Sequence, residues 1–207
     1  MGLASGYYFK ANYYLELWQR KPKTLDQHSI QEAAAAIEQA VILHPNHPHY
    51  ILTQAKVNEW AWYAGFKTSN QIASNDKLYE RAIQLRPTWP VAYADYAYYL
   101  GLVEYRTNDA FKNIDLANQF GRYIPEVYMK TIMVGTYMWN KLTVSQKKTT
   151  FEAAFLAITA NNGSYNNALQ IVRDTKTEKQ FCIYLKLKAK NTNEITQKRI
   201  SRDFCSQ

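Results

Sequence analysis

Glycine and proline are scarce in this sequence, seven and six among 207 residues, while tyrosine (17) and tryptophan (5) are plentiful. Few turn formers argue against a β-sandwich, and the wealth of aromatics argues against a disordered segment. No uninterrupted apolar run approaches the roughly 18 residues a membrane-spanning helix needs. The first residues, Met1 to Gly6, lack the basic start and apolar stretch of a secretory signal, so these residues read as a soluble chain.

The motifs of common chemistries are also missing. No glycine-rich stretch precedes a Lys-Ser or Lys-Thr pair in the phosphate-binding frame, and neither a Gly-x-Ser-x-Gly elbow nor a His-Glu-x-x-His pair occurs. No cofactor and no metal is expected. Two cysteines, Cys182 and Cys205, are too few for a tetrahedral zinc site, and their apolar neighbours Phe181, Ile183 and Phe204 mark them as structural. They could form a disulfide in an oxidising compartment or stay as thiols in the cytosol, and the residues leave both open. His44, His47 and His49 cluster around two prolines, where imidazole serves as an ordinary turn residue more often than as a ligand.

What the sequence does contain is a repeat. Ala36-Ile-Glu-Gln-Ala-Val-Ile-Leu-His-Pro-Asn-His-Pro48 recurs 42 positions later as Leu78-Tyr-Glu-Arg-Ala-Ile-Gln-Leu-Arg-Pro-Thr-Trp-Pro90. In each copy apolar residues at helical spacing run into a proline that stops the helix, and a second proline stands where the next helix begins. A weaker copy carries Ala110, Ile114 and Ala117 before Gly121 and Pro125, and a fourth carries Ala153, Ala157 and Ala160 before the turn cluster Asn161 to Ser164. The pattern predicts helices over 5–20, 27–43, 48–65, 70–85, 90–105, 108–121, 125–140, 144–160, 164–174, 178–189 and 193–204. With only short connections between them, residues 1–207 read as a single helical domain, 174–207 forming a basic C-terminal capping region.

The triplets Ala33/Ile37/Ala40 and Ala110/Ile114/Ala117, with Tyr79/Ala82 between them and Pro45 and Pro87 closing two copies, resemble the small–large–small pattern of tetratricopeptide (TPR) repeats. Asn75 departs from it, standing where the middle copy's first alanine belongs. The resemblance implies an all-α fold, an α–α superhelix or TPR-like solenoid of helix hairpins that receives peptides or other proteins. Within that superfamily the aromatic first helix (Tyr13, Tyr14, Leu15, Trp18), the Leu-x-Pro-x-x-Pro corners followed by Tyr50 or Tyr93, and the late cysteines resemble VpsP-type exopolysaccharide biosynthesis proteins. That likeness implies a membrane anchor ahead of the domain and a periplasmic location, which favours the disulfide; a cytoplasmic adaptor is the other setting.

Tyrosines 96, 98 and 99 cannot all point one way on one helix, so some of this stripe faces a groove or solvent. Trp60, Trp62, Trp89, Tyr93 and Tyr96 are the predicted ligand face, since aromatic rings stack on side chains and sugars. The net charge of +8 is uneven: residues 141–207 hold 12 Lys/Arg against 5 Asp/Glu, whereas 1–140 hold 13 against 12. Lys186, Lys190 and Arg199 are the expected electrostatic contact, suited to an anionic polysaccharide or a membrane surface. Nucleic acid is not expected, because few aromatics interleave with the basic residues. The resulting expectation is a non-catalytic protein-interaction scaffold, accessory to exopolysaccharide synthesis or export, with a protein or peptide partner. The rivals are a glycan-acting enzyme using Glu59, Asp95 and Glu104, and a nucleic-acid-binding regulator.

Overall fold

The computed structural model describes residues 2–205, and among them every regular element is helical. The α-helices are α1 (Gly2–Arg20), α2 (Gln27–Leu43), α3 (Pro48–Tyr63), α4 (Ser69–Ile72), α5 (Asn75–Leu85), α6 (Pro90–Tyr98), α7 (Thr107–Gly121), α8 (Pro125–Tyr137), α9 (Val144–Ala160), α10 (Asn162–Asp174), α11 (Glu178–Ala189) and α12 (Glu194–Phe204). Short 3₁₀ turns cover Pro22–Thr24 and Trp139–Lys141. Prolines 48 and 125 open α3 and α8 at positions where a missing N–H costs nothing. Polar caps start others: Asp26 accepts from Ser29 N at 2.7 Å while Ser29 Oγ accepts from Asp26 N at 3.1 Å, and Thr143 and Gln146 form the same reciprocal pair at α9. No helix is long and apolar enough to cross a membrane among the described residues.

Two expected helices differ in detail. The stretch predicted over 70–85 is broken between α4 and α5 at Ala73 and Ser74, next to Asn75, whose side chain bonds outside its own helix. The stretch predicted over 90–105 leaves the α-helical path after Tyr98 and widens into a π-helical turn over Tyr99–Val103. That turn contains Gly101, where a Cβ would stand 2.9 Å from Val134 Cγ1, so only glycine lets the backbone come this close to α8. The chain then closes through Tyr105 in the left-handed region (φ 56°), with Arg106 N donating to Leu100 O at 2.7 Å.

The helices group into two compact units, Met1–Ala92 and Tyr93–Gln207. In the first, α1 lies along α2, α3 packs on both, and α5 packs on α3. Its core joins Ala11, Leu15 and Trp18 of α1 to Ala33, Ile37 and Ala40 of α2 and to Tyr50, Val57 and Ala61 of α3. The alanines are fully or nearly fully buried, and their small size is what lets the helix axes approach. Trp18, wholly buried, also donates its indole N–H to Ser29 Oγ at 3.2 Å, tying the first helix to the cap of the second.

Asn75 is wholly buried, with both its amide nitrogen and its amide oxygen hydrogen-bonded. Its Nδ2 donates to Ala55 O at 3.0 Å, its Oδ1 accepts from Asn58 Nδ2 at 2.9 Å, and Lys67 Nζ donates to Asn58 Oδ1 at 2.6 Å. The departure from alanine is thus a polar clamp between α3 and α5. Tyr79, one turn further along α5, donates its hydroxyl to Glu59 of α3.

In the second unit α7 packs on α8, α8 on α9 and α10, α9 on α10 and α11, and α11 on α12. Its core carries Tyr128 and Ile132 of α8, Ala153, Ala154 and Ala157 of α9, Tyr165 and Ala168 of α10, Phe181 and Leu185 of α11, and Ile200 and Phe204 of α12. Helices α8 and α9 meet at Gly135, where a Cβ would overlap the side chain of Thr150. A Cys182–Cys205 disulfide, its Cα atoms 5.1 Å apart, joins α11 to the residue after α12.

Candidate functional site

The two proline corners of the first unit meet. His49, in the first turn of α3, packs tilted against Trp89 with ring centroids 4.2 Å apart, and Arg86 places Nη1 3.3 Å from His49 Nε2 while its guanidinium lies 5.3 Å from the Trp89 ring. His47 stacks on Tyr50 at 3.9 Å. Burial holds both His47 and His49 below the ordinary imidazole range; His44 adds to this at His47, and His47, Arg86 and Lys56 add to it at His49. Burial thus favours the neutral imidazole at both positions. No group of three or more His, Cys, Asp or Glu side chains capable of holding a metal ion occurs among the described residues.

Beside this corner runs a groove of about 490 Å³ lined by Asn46, Lys77, Glu80, Arg81, Gln84 and Leu85. Arg81 shapes it. Its Nη2 donates to Pro45 O at 3.2 Å and to Asn46 Oδ1 at 2.8 Å, so α5 clasps the turn between α2 and α3. Lys77, one turn earlier on the same helix, is exposed. Two cations, a carboxylate and two carboxamides facing one trough suit an extended chain with backbone carbonyls and acidic side chains.

The predicted aromatic face divides. Trp60, Trp62 and Trp89 are half-buried in the first unit: Trp60 packs between Trp18 and Tyr63, Trp62 donates its indole N–H to Ser69 Oγ at 3.3 Å, and Trp89 belongs to the corner. Tyr93 and Tyr96 are buried, 8% and 7% exposed, with the Tyr93 ring against Phe120. Of the tyrosine stripe, Tyr96 and Tyr99 are buried and Tyr98 is half-buried, while Tyr105 further along the chain is exposed, at 61%.

The three carboxylates considered for acid–base chemistry each face a different partner. Glu59 accepts from Tyr79, and Glu104 accepts from the Tyr99 hydroxyl at 2.8 Å. Asp95, 3% exposed, lies 3.8 Å from Lys130, whose ammonium sits 3.7 Å above the Tyr98 ring. Asp95 is buried, whereas Glu59 and Glu104 are half-buried.

The expected electrostatic contact divides as well. Lys186 and Lys190 are exposed, whereas Arg199 is half-buried, stacked 3.7 Å from the Tyr165 ring and bonded to Asn162 Oδ1 at 2.8 Å. Around it, Tyr165 donates its hydroxyl to Asp203 at 2.6 Å and Arg202 grips the same carboxylate with two bonds of 2.8 Å. Arg202 holds the Asp203 carboxyl down at about 2, against the cost of its partial burial. Burial and the Asp203 hydrogen bond push the Tyr165 phenol above its usual range. Arg199 thus braces α12 on α10.

The sequence reading missed the groove-forming role of Arg81 and Lys77. A signal existed: Arg81 occupies, one repeat later, the place of Gln39, and a charged residue gained at a repeat-equivalent site points to a contact the other copy lacks. No protein-family model, curated protein or solved structure matches this chain.

Proposed function

We propose that the chain is a protein-binding scaffold, an α–α solenoid of TPR-like hairpins, whose partner lays an extended, acid-bearing peptide along the groove of the first unit. The observation that carries the reading is the groove itself, with Lys77 and Arg81 in its lining and the Arg86–His49–Trp89 cluster close by in sequence. The solenoid reading is supported within each unit by helices that touch both the next helix and the next but one, across buried alanine seams. Trp89 is the member of the predicted aromatic face nearest in sequence to the groove residues, through Leu85 and Arg86. The pathway, exopolysaccharide synthesis or export on the periplasmic side, rests on the sequence likeness, and a Cys182–Cys205 bridge fits an oxidising compartment.

The test is photo-crosslinking in native cells from a benzophenone amino acid at Gln84, in the parent and in Lys77→Glu/Arg81→Glu. A discrete crosslinked protein that disappears in the charge-reversed variant, with the helical circular dichroism unchanged, supports the reading. A crosslink that survives charge reversal refutes it.

A further inference from the structure

Helix α11 carries an outward face that the fold does not use. Phe181, Leu185 and Ala189 form its buried seam, together with Glu178. At 100° per residue, Lys179, Gln180, Ile183, Lys186 and Leu187 fall on an arc of about 120° on the other side, and Lys190 at the C-cap continues it. All six are exposed. Ile183 and Leu187 stand 71% and 59% exposed, among the most open large apolar side chains of the chain. Lys188 is set apart from the arc, its ammonium 5.7 Å from the Tyr184 ring.

The face holds two aliphatic side chains flanked by three lysines and no acid. Among the described residues of α11 and α12, Glu194 is the one exposed carboxylate, and Lys198 pairs with it at 3.2 Å. Glu178 is buried and Asp203 is held by Arg202 and Tyr165. The helix is anchored from behind by the core and by the Cys182–Cys205 bridge, so the face is presented without a folding cost at the moment of contact.

The geometry points to an interfacial docking face for an anionic lipid bilayer. Ile183 and Leu187 enter the boundary between headgroups and acyl chains, while Lys179, Lys186 and Lys190 lay their methylene stems along it and keep their ammonium groups among the phosphates. A soluble polyanion would satisfy the lysines and leave both aliphatic side chains in water. The bilayer engages the two aliphatic side chains and the three lysines together. The inference stands apart from the groove of the first unit and does not depend on what occupies it.

The experiment is co-sedimentation of the full chain with vesicles of phosphatidylglycerol and phosphatidylcholine, and with phosphatidylcholine alone, at low salt. The expected result is binding to the anionic vesicles only. Lys179→Gln/Lys186→Gln/Lys190→Gln should weaken it about a hundredfold, about fivefold for each lysine. Ile183→Ser/Leu187→Ser should weaken it by about tenfold or more. Both side chains are exposed, so the serine variant keeps the core, and an unchanged thermal melt verifies this. Failure of the parent to sediment with anionic vesicles overturns the inference. So does a serine variant that binds as tightly as the parent, since that would be the behaviour of a plain polyanion site.

Discussion

Replacing Asn75 by alanine sets two physical arguments against each other. The repeat pattern has a small residue at this place, and alanine is the better helix former by about half a kcal/mol, so pattern and propensity both forecast a neutral or stabilising change. The structure forecasts the opposite. Asn75 is wholly buried and makes two hydrogen bonds, to Ala55 O at 3.0 Å and from Asn58 Nδ2 at 2.9 Å. Each is worth about 1 kcal/mol net, and the carboxamide leaves a void beside the half-buried Asn58. Subtracting the propensity gain leaves a loss of about 2 kcal/mol, or about 4 to 8 °C in melting temperature for a chain of this length. Urea unfolding followed by circular dichroism and by tryptophan fluorescence measures it. The first unit holds Trp18, Trp60, Trp62 and Trp89, so the loss should appear in the fluorescence transition. Asn58→Ala and the double variant complete a cycle, with an expected coupling of about 1 kcal/mol. An Asn75→Ala variant as stable as the parent, or a cycle that is strictly additive, would refute the clamp.

Three further outcomes are expected. Gly135→Ala should destabilise the second unit by about 1 to 2 kcal/mol, overpacking against Thr150 outweighing the helix-propensity gain, and Thr150→Ala should recover part of that loss in the same denaturation assay. Asp203 has a depressed folded-state pKa of about 2, so it contributes stability that is present above its unfolded value near pH 4 and is lost as pH falls through that window. Asp203→Asn should be less stable than the parent at neutral pH, and the difference should shrink between pH 4 and pH 2; parallel urea midpoints across that range would contradict the assignment. Reducing the bridge, or Cys182→Ser/Cys205→Ser, should cost about 3 kcal/mol from the freed loop of 23 residues' separation. The cost should be read as faster amide exchange in α11 and α12, with the exchange of α1 to α3 unchanged.

How much could be read in advance follows a clear line. Prolines at helix ends and starts, a glycine or turn cluster past the last turn, and apolar residues at three- and four-residue spacing are local signals, and they located most of the helices from α1 to α12. The exceptions have non-local causes. The break at Ala73 and Ser74 lies just ahead of Asn75, whose side chain bonds to Ala55 and Asn58 of another helix. The π-helical turn forms where Gly101 must pass Val134 of α8. The candidate site was harder to read. Of the five aromatic residues expected on a ligand face, Tyr93 and Tyr96 are buried, while Tyr63 and Tyr123 stand 70% and 73% exposed elsewhere. Arg199, expected at the surface, stacks on Tyr165, and Arg81, which drew no notice, builds the groove.

Residue order alone was enough to set the helices, their corners and the alanine seams on which they meet, because each depends on residues within a turn or two of one another. Which side chains reach solvent was decided by tertiary packing. The helical period gives a residue's angle around its own axis, but the angle covered by a neighbour depends on where that neighbour lies. Tyr96 and Ile183 are both apolar residues at mid-helix, and one is 7% exposed and the other 71%. The difference is made by the helices packed around them, and no local pattern carries it.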